Sequence, residues 1–94
     1  MNRQEHLLTI LAEECVEVAH AVTKSLRFGL DDQFKGNPIN KDHLSQELGD
    51  LLGIYFKLIR EGIIDPPAES LITAKDAKIE KYLSYSKLRK TLTE

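Results

Sequence analysis

Apolar residues recur every three or four positions along most of this 94-residue chain, and that spacing is the period of an α-helix. The stripe along the first segment consists of Leu7, Leu8, Leu11, Cys15, Val18, Ala19, Val22 and Leu26. No stretch keeps the every-second-residue alternation of a half-buried strand, and no internal repeat or low-complexity segment interrupts the pattern. The pattern therefore predicts an all-α chain.

Capping and turn-forming residues divide the chain into its predicted elements. The predicted helices cover residues 3–26, 40–61 and 66–85, and a predicted loop covers residues 27–39. Asn2 and Glu5 have the spacing of a capping box at the first helix, and Asn40 is the predicted N-cap of the second. Gly62 is the predicted stop of the second helix, and Asp65 precedes a proline in the first turn of the third. A loop of this length in so short a chain suggests a function.

The small size of the chain bears on its assembly. We interpret residues 1–94 as a single helical domain, whose core is small because short chains bury little of their surface. Three long amphipathic helices from one chain leave apolar faces uncovered. We therefore predict an antiparallel helical bundle of three main helices that is completed by homo-oligomerisation, as a homodimer or a dimer of dimers.

The charge balance limits the classes of partner. The chain has 13 Lys and Arg against 15 Asp and Glu, so it has no overall basic field that would favour a polynucleotide. No apolar run approaches a membrane span, and the N-terminus lacks the order of a signal peptide, so we expect a cytoplasmic protein. The single cysteine, Cys15, is interpreted as a small buried apolar residue.

Acidic residues with helical spacing are the most informative candidates for chemistry. They are Glu13, Glu14 and Glu17 on the first predicted helix and Glu47 and Asp50 on the second. Residues three apart lie on nearly one helix face, so two facing helices can bring four carboxylates together. Such a cluster suits Mg²⁺ or Mn²⁺. Any one pair is usually a solvated helix face, but Glu47 lies within an apolar stripe, where an unpaired carboxylate is costly.

A second metal hypothesis comes from Glu17 and His20, which have the Glu-x-x-His spacing of di-iron carboxylate bundles. That architecture needs a second such pair, and the second helix has Glu-x-x-Asp instead. We therefore favour a surface position for His20. His6 and His43 are also interpreted as solvated side chains.

Together these motifs resemble the MazG-like all-alpha nucleotide pyrophosphohydrolase family, whose hallmark is Glu-Glu-x-x-Glu on one helix and Glu-x-x-Asp on the next. The matching segments are Glu13-Glu14-Cys15-Val16-Glu17 and Glu47-Leu48-Gly49-Asp50. The resemblance implies that Glu14, Glu17, Glu47 and Asp50 bind Mg²⁺, for which Mn²⁺ can substitute. It also implies catalytic roles for the same four residues and for Glu13, which would assist from the outer shell or orient water.

The resemblance extends to two further segments. Lys78-Ile79-Glu80-Lys81-Tyr82 is similar to a basic, aromatic-bearing segment in the family's last helix. This similarity implies that these residues bind the substrate, with Lys78 and Lys81 facing the phosphates and Tyr82 beside them. Without the resemblance, the spacing of Lys78 and Lys81 favours a solvated basic face on the last helix. Arg27-Phe28-Gly29 is similar to a sub-group of small, single-domain members. Arg27 would reach the nucleotide by charge and Phe28 by stacking, although Phe28 also suits a packing role.

The resemblance implies a magnesium-dependent hydrolase that converts a ribo- or deoxyribonucleoside triphosphate and water to the monophosphate and pyrophosphate, and so controls the nucleotide pool. In that reaction water attacks the α-phosphorus, and one carboxylate serves as general base. The alternative is a non-catalytic helical protein that senses nucleotides or binds a partner. Intact acids at all four positions favour the enzyme.

Overall fold

The computed structural model describes residues 1–94 and contains three α-helices and no strand. The helices are α1 (Arg3–Phe28), α2 (Asn40–Arg60) and α3 (Glu69–Leu88). The all-α class is thereby confirmed. The chain divides into two compact units, Met1–Ile64 and Asp65–Glu94. None of the three helices combines the length and apolar character needed to cross a membrane.

Local sequence signals account for both ends of α1. The Asn2 side chain accepts a hydrogen bond of 2.8 Å from the Glu5 amide, as a helix N-cap does. The helix continues two residues beyond the predicted end at 26. It stops at Gly29, which has a φ of 101° and whose amide donates to the Ser25 carbonyl at 2.8 Å. A residue without a Cβ adopts this positive φ without strain.

The end of α2 is a Schellman motif. Gly62 has a φ of 71°, and its amide donates to the Ile59 carbonyl at 3.0 Å. The Ile63 amide donates to the Leu58 carbonyl at 3.0 Å, which completes the pattern. Because the chain reverses at Gly62, Ile63 returns to pack against the core that contains Leu58.

The start of α2 differs from the prediction. Ile39 is the N-cap and makes no side-chain cap hydrogen bond, so the prediction of Asn40 as the cap is wrong. Asn40 is the first helical residue and is almost fully buried, and its Nδ2 donates to the Gly29 carbonyl at 2.8 Å. The Asn40 side chain therefore fastens the beginning of α2 to the residue that ends α1.

The core of the first unit lies where the beginning of α1 meets the end of α2. Its buried members are Leu7, Ile54 and Leu58, and the partly buried Leu11, Ile63 and Ile64 pack against them. Beside this core, Arg3 forms two hydrogen bonds with Glu61, of 3.0 and 2.8 Å. The start of one helix is thus held to the end of the next by apolar packing and by an ion pair.

The α1 residues that are shielded from solvent are not the full predicted stripe, because the shielded face is turned about the helix axis relative to the predicted one. The buried or half-buried members of the shielded face are Leu7, Leu11, Glu14, Val18, Ala21 and Ser25. Leu8, Val22 and Leu26 are exposed in the single chain. Cys15 is also exposed, so the prediction that it is buried is wrong for the single chain. The reason is that α1 has two apolar stripes side by side, and only one of them packs against α2.

The second unit contains α3, which begins three residues after the predicted 66. Ala68 is its N-cap, without a side-chain cap hydrogen bond, so Asp65 does not cap it. Pro66 precedes Pro67, and a residue before proline is disfavoured in the α conformation, which delays the helix. No residue of α3 is buried. Its exposed apolar side chains include Leu71, Ile72, Ile79, Tyr82 and Leu83.

Candidate functional site

Three carboxylates from two helices meet in the middle of the first unit. Glu14 comes from α1, and Glu47 and Asp50 come from α2. One oxygen atom from each lies within 4.8 Å of the others. Glu47 and Asp50 share a helix face because they are three residues apart, and Glu14 lies on the α1 stripe that is shielded from solvent. We call these three residues the acidic cluster.

The electrostatics of the acidic cluster are unfavourable in the protein alone. Partial burial raises the pKa of Glu14, and the charges of Asp50 and Glu47 raise it further. Oε2 of Glu14 is buried and has no hydrogen-bond partner. No lysine or arginine forms an ion pair with any of the three carboxylates. The cluster therefore concentrates negative charge that the chain's own strong cations do not neutralise.

His43 contacts the acidic cluster through Glu47. Its Nε2 lies 3.1 Å from Oε1 of Glu47, one helical turn away on α2. An ionised carboxylate can only accept, so Nε2 carries the proton of this hydrogen bond. His43 is half-buried, and its Nδ1 is buried without a partner. The prediction that His43 is merely solvated is wrong, and the signal for this contact was its i, i+4 spacing from Glu47.

The other predicted acids lie outside the group of three. Glu13 and Glu17 are exposed on α1 and are not among the residues whose oxygens lie within 4.8 Å of one another. Their negative charges nevertheless raise the pKa of Glu14. They therefore contribute to the field at the acidic cluster without joining it, and a ligand role for Glu17 stays a prediction.

A cavity of about 380 Å³ lies against the last three turns of α1 and the loop that follows. It is lined by His20, Thr23, Lys24, Arg27, Phe28, Asp32, Phe34 and Asn37. Arg27 and Phe28 were singled out from the sequence, and the guanidinium carbon of Arg27 lies 4.8 Å from the centre of the Phe28 ring. The loop residues Asp32, Phe34 and Asn37 were missed, because a loop has no periodicity that assigns side chains to one face.

The remaining candidates are not members of the acidic cluster. Lys78, Lys81 and Tyr82 are exposed on α3 in the second unit, with the Lys81 Nζ 5.9 Å from the centre of the Tyr82 ring. His20 lines the cavity and is not part of the acidic cluster. The di-iron hypothesis requires His20 to lie beside the other carboxylates, and the structure does not place it there.

The two helices that carry the acidic cluster belong to a segment that matches a known protein family. Residues 2–65 match the family model of the MazG nucleotide pyrophosphohydrolase domain. The chain belongs to this MazG family. The match spans α1, the loop and α2, and so includes the acidic cluster, whereas α3 with Lys78, Lys81 and Tyr82 lies outside it. Searches of curated proteins and of solved structures found no match.

Members of the MazG family act on nucleoside triphosphates and generally depend on a divalent metal ion. The acidic cluster fits such an ion in its donor set, because three carboxylates supply hard oxygen ligands. The buried Oε2 of Glu14, which has no hydrogen-bond partner, is the atom that most needs a cation. The residues present are therefore compatible with a divalent metal.

Proposed function

We propose that this MazG protein is a magnesium-dependent nucleoside triphosphate pyrophosphohydrolase, which converts a ribo- or deoxyribonucleoside triphosphate and water to the monophosphate and pyrophosphate. The observation that carries the proposal is the acidic cluster, in which three carboxylate oxygens from two helices lie within 4.8 Å without a lysine or arginine partner. Membership of the MazG family indicates which bond of the triphosphate is cleaved.

In this proposal Glu14, Glu47 and Asp50 hold the metal ion, with Glu17 as a fourth ligand. When bound there, Mg²⁺, or Mn²⁺ in its place, would supply the positive charge that neutralises the triphosphate and makes water a better nucleophile. His43 donates to Oε1 of Glu47, which fixes the rotation of that carboxylate and leaves Oε2 free to bind.

Roles for the remaining predicted residues complete the proposal. Glu13, which is outside the acidic cluster, orients water or acts in the outer shell, and one carboxylate of the site serves as general base. On α3, Lys78, Lys81 and Tyr82 bind the phosphates of the substrate. The reaction as a whole controls the nucleotide pool in the cytoplasm.

We also propose that the three helices form an antiparallel bundle that is completed by a second copy of the chain, as a homodimer or a dimer of dimers. On α2, Leu48, Leu52 and Phe56 are exposed on one face. Gly49 and Gly53 lie among them, and no atom comes within 4 Å of where their Cβ atoms would be. Neighbouring exposed apolar side chains on one helix face favour an interaction surface. Light scattering that shows a stable monomer of 10.7 kDa at micromolar concentration would exclude this assembly.

Pyrophosphate release from a panel of ribo- and deoxyribonucleoside triphosphates, with and without Mg²⁺, tests the proposed reaction. The wild type is compared with Glu47→Gln, which removes a charge from the acidic cluster, and with Glu61→Gln, which makes the same change outside it. We expect magnesium-dependent release that Glu47→Gln abolishes and Glu61→Gln retains. Folded wild-type protein that releases no pyrophosphate from any triphosphate would refute the proposal and favour the non-catalytic alternative.

A further inference from the structure

The cavity at the end of α1 contains polar groups that the rest of the chain does not use. The Asp32 carboxylate forms no ion pair and no side-chain hydrogen bond, and the side-chain amide of Asn37 has no partner either. Backbone hydrogen bonds nevertheless hold both residues: the Asp32 amide donates to the Gly29 carbonyl at 3.2 Å, and the Asn37 amide donates to the Phe34 carbonyl at 2.9 Å. Both residues line the cavity, and their side-chain polar groups are available to a ligand.

The cavity walls combine aromatic rings with cations. Phe28 and Phe34 line it, and both remain more than half exposed. Lys24 and Arg27 also line it, and neither forms an ion pair within the chain. Aromatic rings stack on flat, unsaturated ligands, and lysine and arginine bind phosphate. A ligand that suits these walls has a flat heterocycle at one end and a phosphate at the other.

The α1 residues that line the cavity lie on the same helix face as Glu13 and Glu17. His20 is seven residues after Glu13, and Lys24 is seven residues after Glu17, so each pair lies close to one line along the helix. Glu14 is six residues before His20, which places it about 9 Å along the helix and about 120° around it from His20. A ligand in the cavity can therefore extend its phosphates along this face to Glu13 and Glu17, whose charges act on Glu14 of the acidic cluster.

We propose that this cavity binds the nucleobase of the triphosphate and that Asp32 selects bases carrying an exocyclic amino group, namely adenine, cytosine and guanine, over uracil and thymine. The inference rests on the proposed pyrophosphohydrolase function and names its substrate class. The cavity volume of about 380 Å³ is within the range of small-molecule sites.

The selectivity follows from the chemistry of a carboxylate, which only accepts hydrogen bonds. An exocyclic amino group donates to it directly. Uracil and thymine offer a single N–H donor on that edge, flanked by two carbonyl oxygens that repel the carboxylate. The Asn37 amide both donates and accepts, so it can pair with the ring nitrogen or carbonyl beside the amino group.

The decisive comparison uses CTP and UTP, whose bases differ at the amino or carbonyl group of one edge. The chain offers a matched pair of variants, because Asp31 is adjacent to Asp32 but does not line the cavity. Asp31 is 3.7 Å from Lys41, and its side chain is 91% exposed. We expect Asp32→Asn to lower the CTP-to-UTP ratio of kcat/KM by at least about tenfold, because the amide can also donate to a carbonyl oxygen. We expect Asp31→Asn to leave that ratio unchanged.

A second pair of variants tests stacking. Phe34→Ala is expected to raise KM for all triphosphates several-fold with little change in kcat, since a ring that only binds the base acts equally in the ground and transition states. Leu30→Ala, a change in the same loop at a residue outside the cavity, is the control. The proposal would be overturned if Asp32→Asn had the same CTP-to-UTP ratio of kcat/KM as Asp31→Asn, and if Phe34→Ala had the same KM as Leu30→Ala.

Binding measured without turnover separates this inference from the proposed reaction. Calorimetric titration of the wild type and both aspartate variants with CMP and UMP needs no hydrolysis. Preference for CMP that Asp32→Asn removes would support the base cavity even if no pyrophosphate were released. Equal binding of CMP and UMP by the wild type would overturn the base selectivity even if the protein hydrolyses triphosphates.

Discussion

Two carboxylate sites along the α1–α2 pair have opposite electrostatics. At the end of the pair, Glu61 is hydrogen-bonded to Arg3 and lies 3.3 Å from Lys57. The hydrogen bond from Arg3 contributes most to lowering the pKa of Glu61 to about 2. In the middle of the pair, partial burial and neighbouring carboxylates raise the pKa of Glu14. One site has compensating cations within the chain, and the other has none.

This difference separates two uses of the same residue type. An ion pair beside an apolar core holds two helices together, and it needs nothing from outside the chain. Partly buried carboxylates without a cation destabilise the fold, so a protein that keeps them is expected to gain something else from them. For this MazG chain the proposed gain is a divalent metal ion. Each prediction below changes either the acidic cluster or the packed end of the helix pair that includes Glu61, and leaves the other intact.

The largest effect is expected from Glu14→Gln. Magnesium-dependent pyrophosphate release should fall by more than about 100-fold, because the amide carries no charge for the metal and the metal supplies several kcal/mol of transition-state stabilisation. Glu61→Gln should stay within about twofold of the wild-type rate. Initial rates at saturating Mg²⁺ provide the measurement, and a Glu14→Gln rate above half of the wild-type rate would contradict the assignment of this residue.

The next effect concerns the packed end of the helix pair. Leu58 is fully buried in the core, so Leu58→Ala should lower the free energy of unfolding by about 2–5 kcal/mol. Urea unfolding at one fixed protein concentration measures it, with Leu30→Ala at a 53% exposed position as the control. Equal losses in the two variants would show that this end is not the stabilising one.

Metal binding should stabilise only the protein with an intact acidic cluster. Mg²⁺ at about 100 times its dissociation constant should add about 2.7 kcal/mol to the free energy of unfolding of the wild type, and a chelator should remove that gain. Glu61→Gln should show the same gain, whereas Glu14→Gln should show little or none. Urea unfolding with and without Mg²⁺ is the test, and an undiminished gain in Glu14→Gln would place the ion elsewhere.

The smallest effect is the pH dependence due to Glu61. Its pKa in the folded protein is about 2, below the ordinary value of 4.5, so the unfolded chain binds more protons between these values. Stability from this group therefore rises from about pH 2 to 4.5, is fully present above that window and is lost as the pH falls through it. The thermal midpoints of the wild type and Glu61→Gln should separate across this window and run parallel above it. Parallel curves throughout would mean that Arg3 contributes no stability through Glu61.

Part of this structure is predictable from the sequence because it depends on local spacing. The helical period predicts the all-α class, and Gly62 marks the turn that ends α2. The three-residue step between Glu47 and Asp50 places both on one face, which is why the approach of Glu14 was anticipated. Their roles as ligands stay a prediction.

The sequence did not show which of the two apolar faces of α1 is buried. Leu8 and Leu7 are equally apolar, and only the packing of α1 on α2 determines that Leu7 is buried. His43 was missed although its i, i+4 spacing from Glu47 signalled the contact, because that spacing alone does not show that the two side chains are half-buried. Asp32 and Phe34 were missed for another reason, since the fold of a loop follows from its backbone hydrogen bonds and not from a repeating pattern.

The hydrogen bonds of Asn40 turn the segment between α1 and α2 into a closed loop. Its side chain donates to the Gly29 carbonyl and its amide to the Asp32 carbonyl, while the Lys41 amide donates to the Leu30 carbonyl. A loop whose two ends are joined in this way leaves its interior free to vary in sequence, because the supporting helices no longer depend on it. Exchange of residues 33–38 is thus a route by which the walls of the cavity can diversify while α1 and α2 keep their positions.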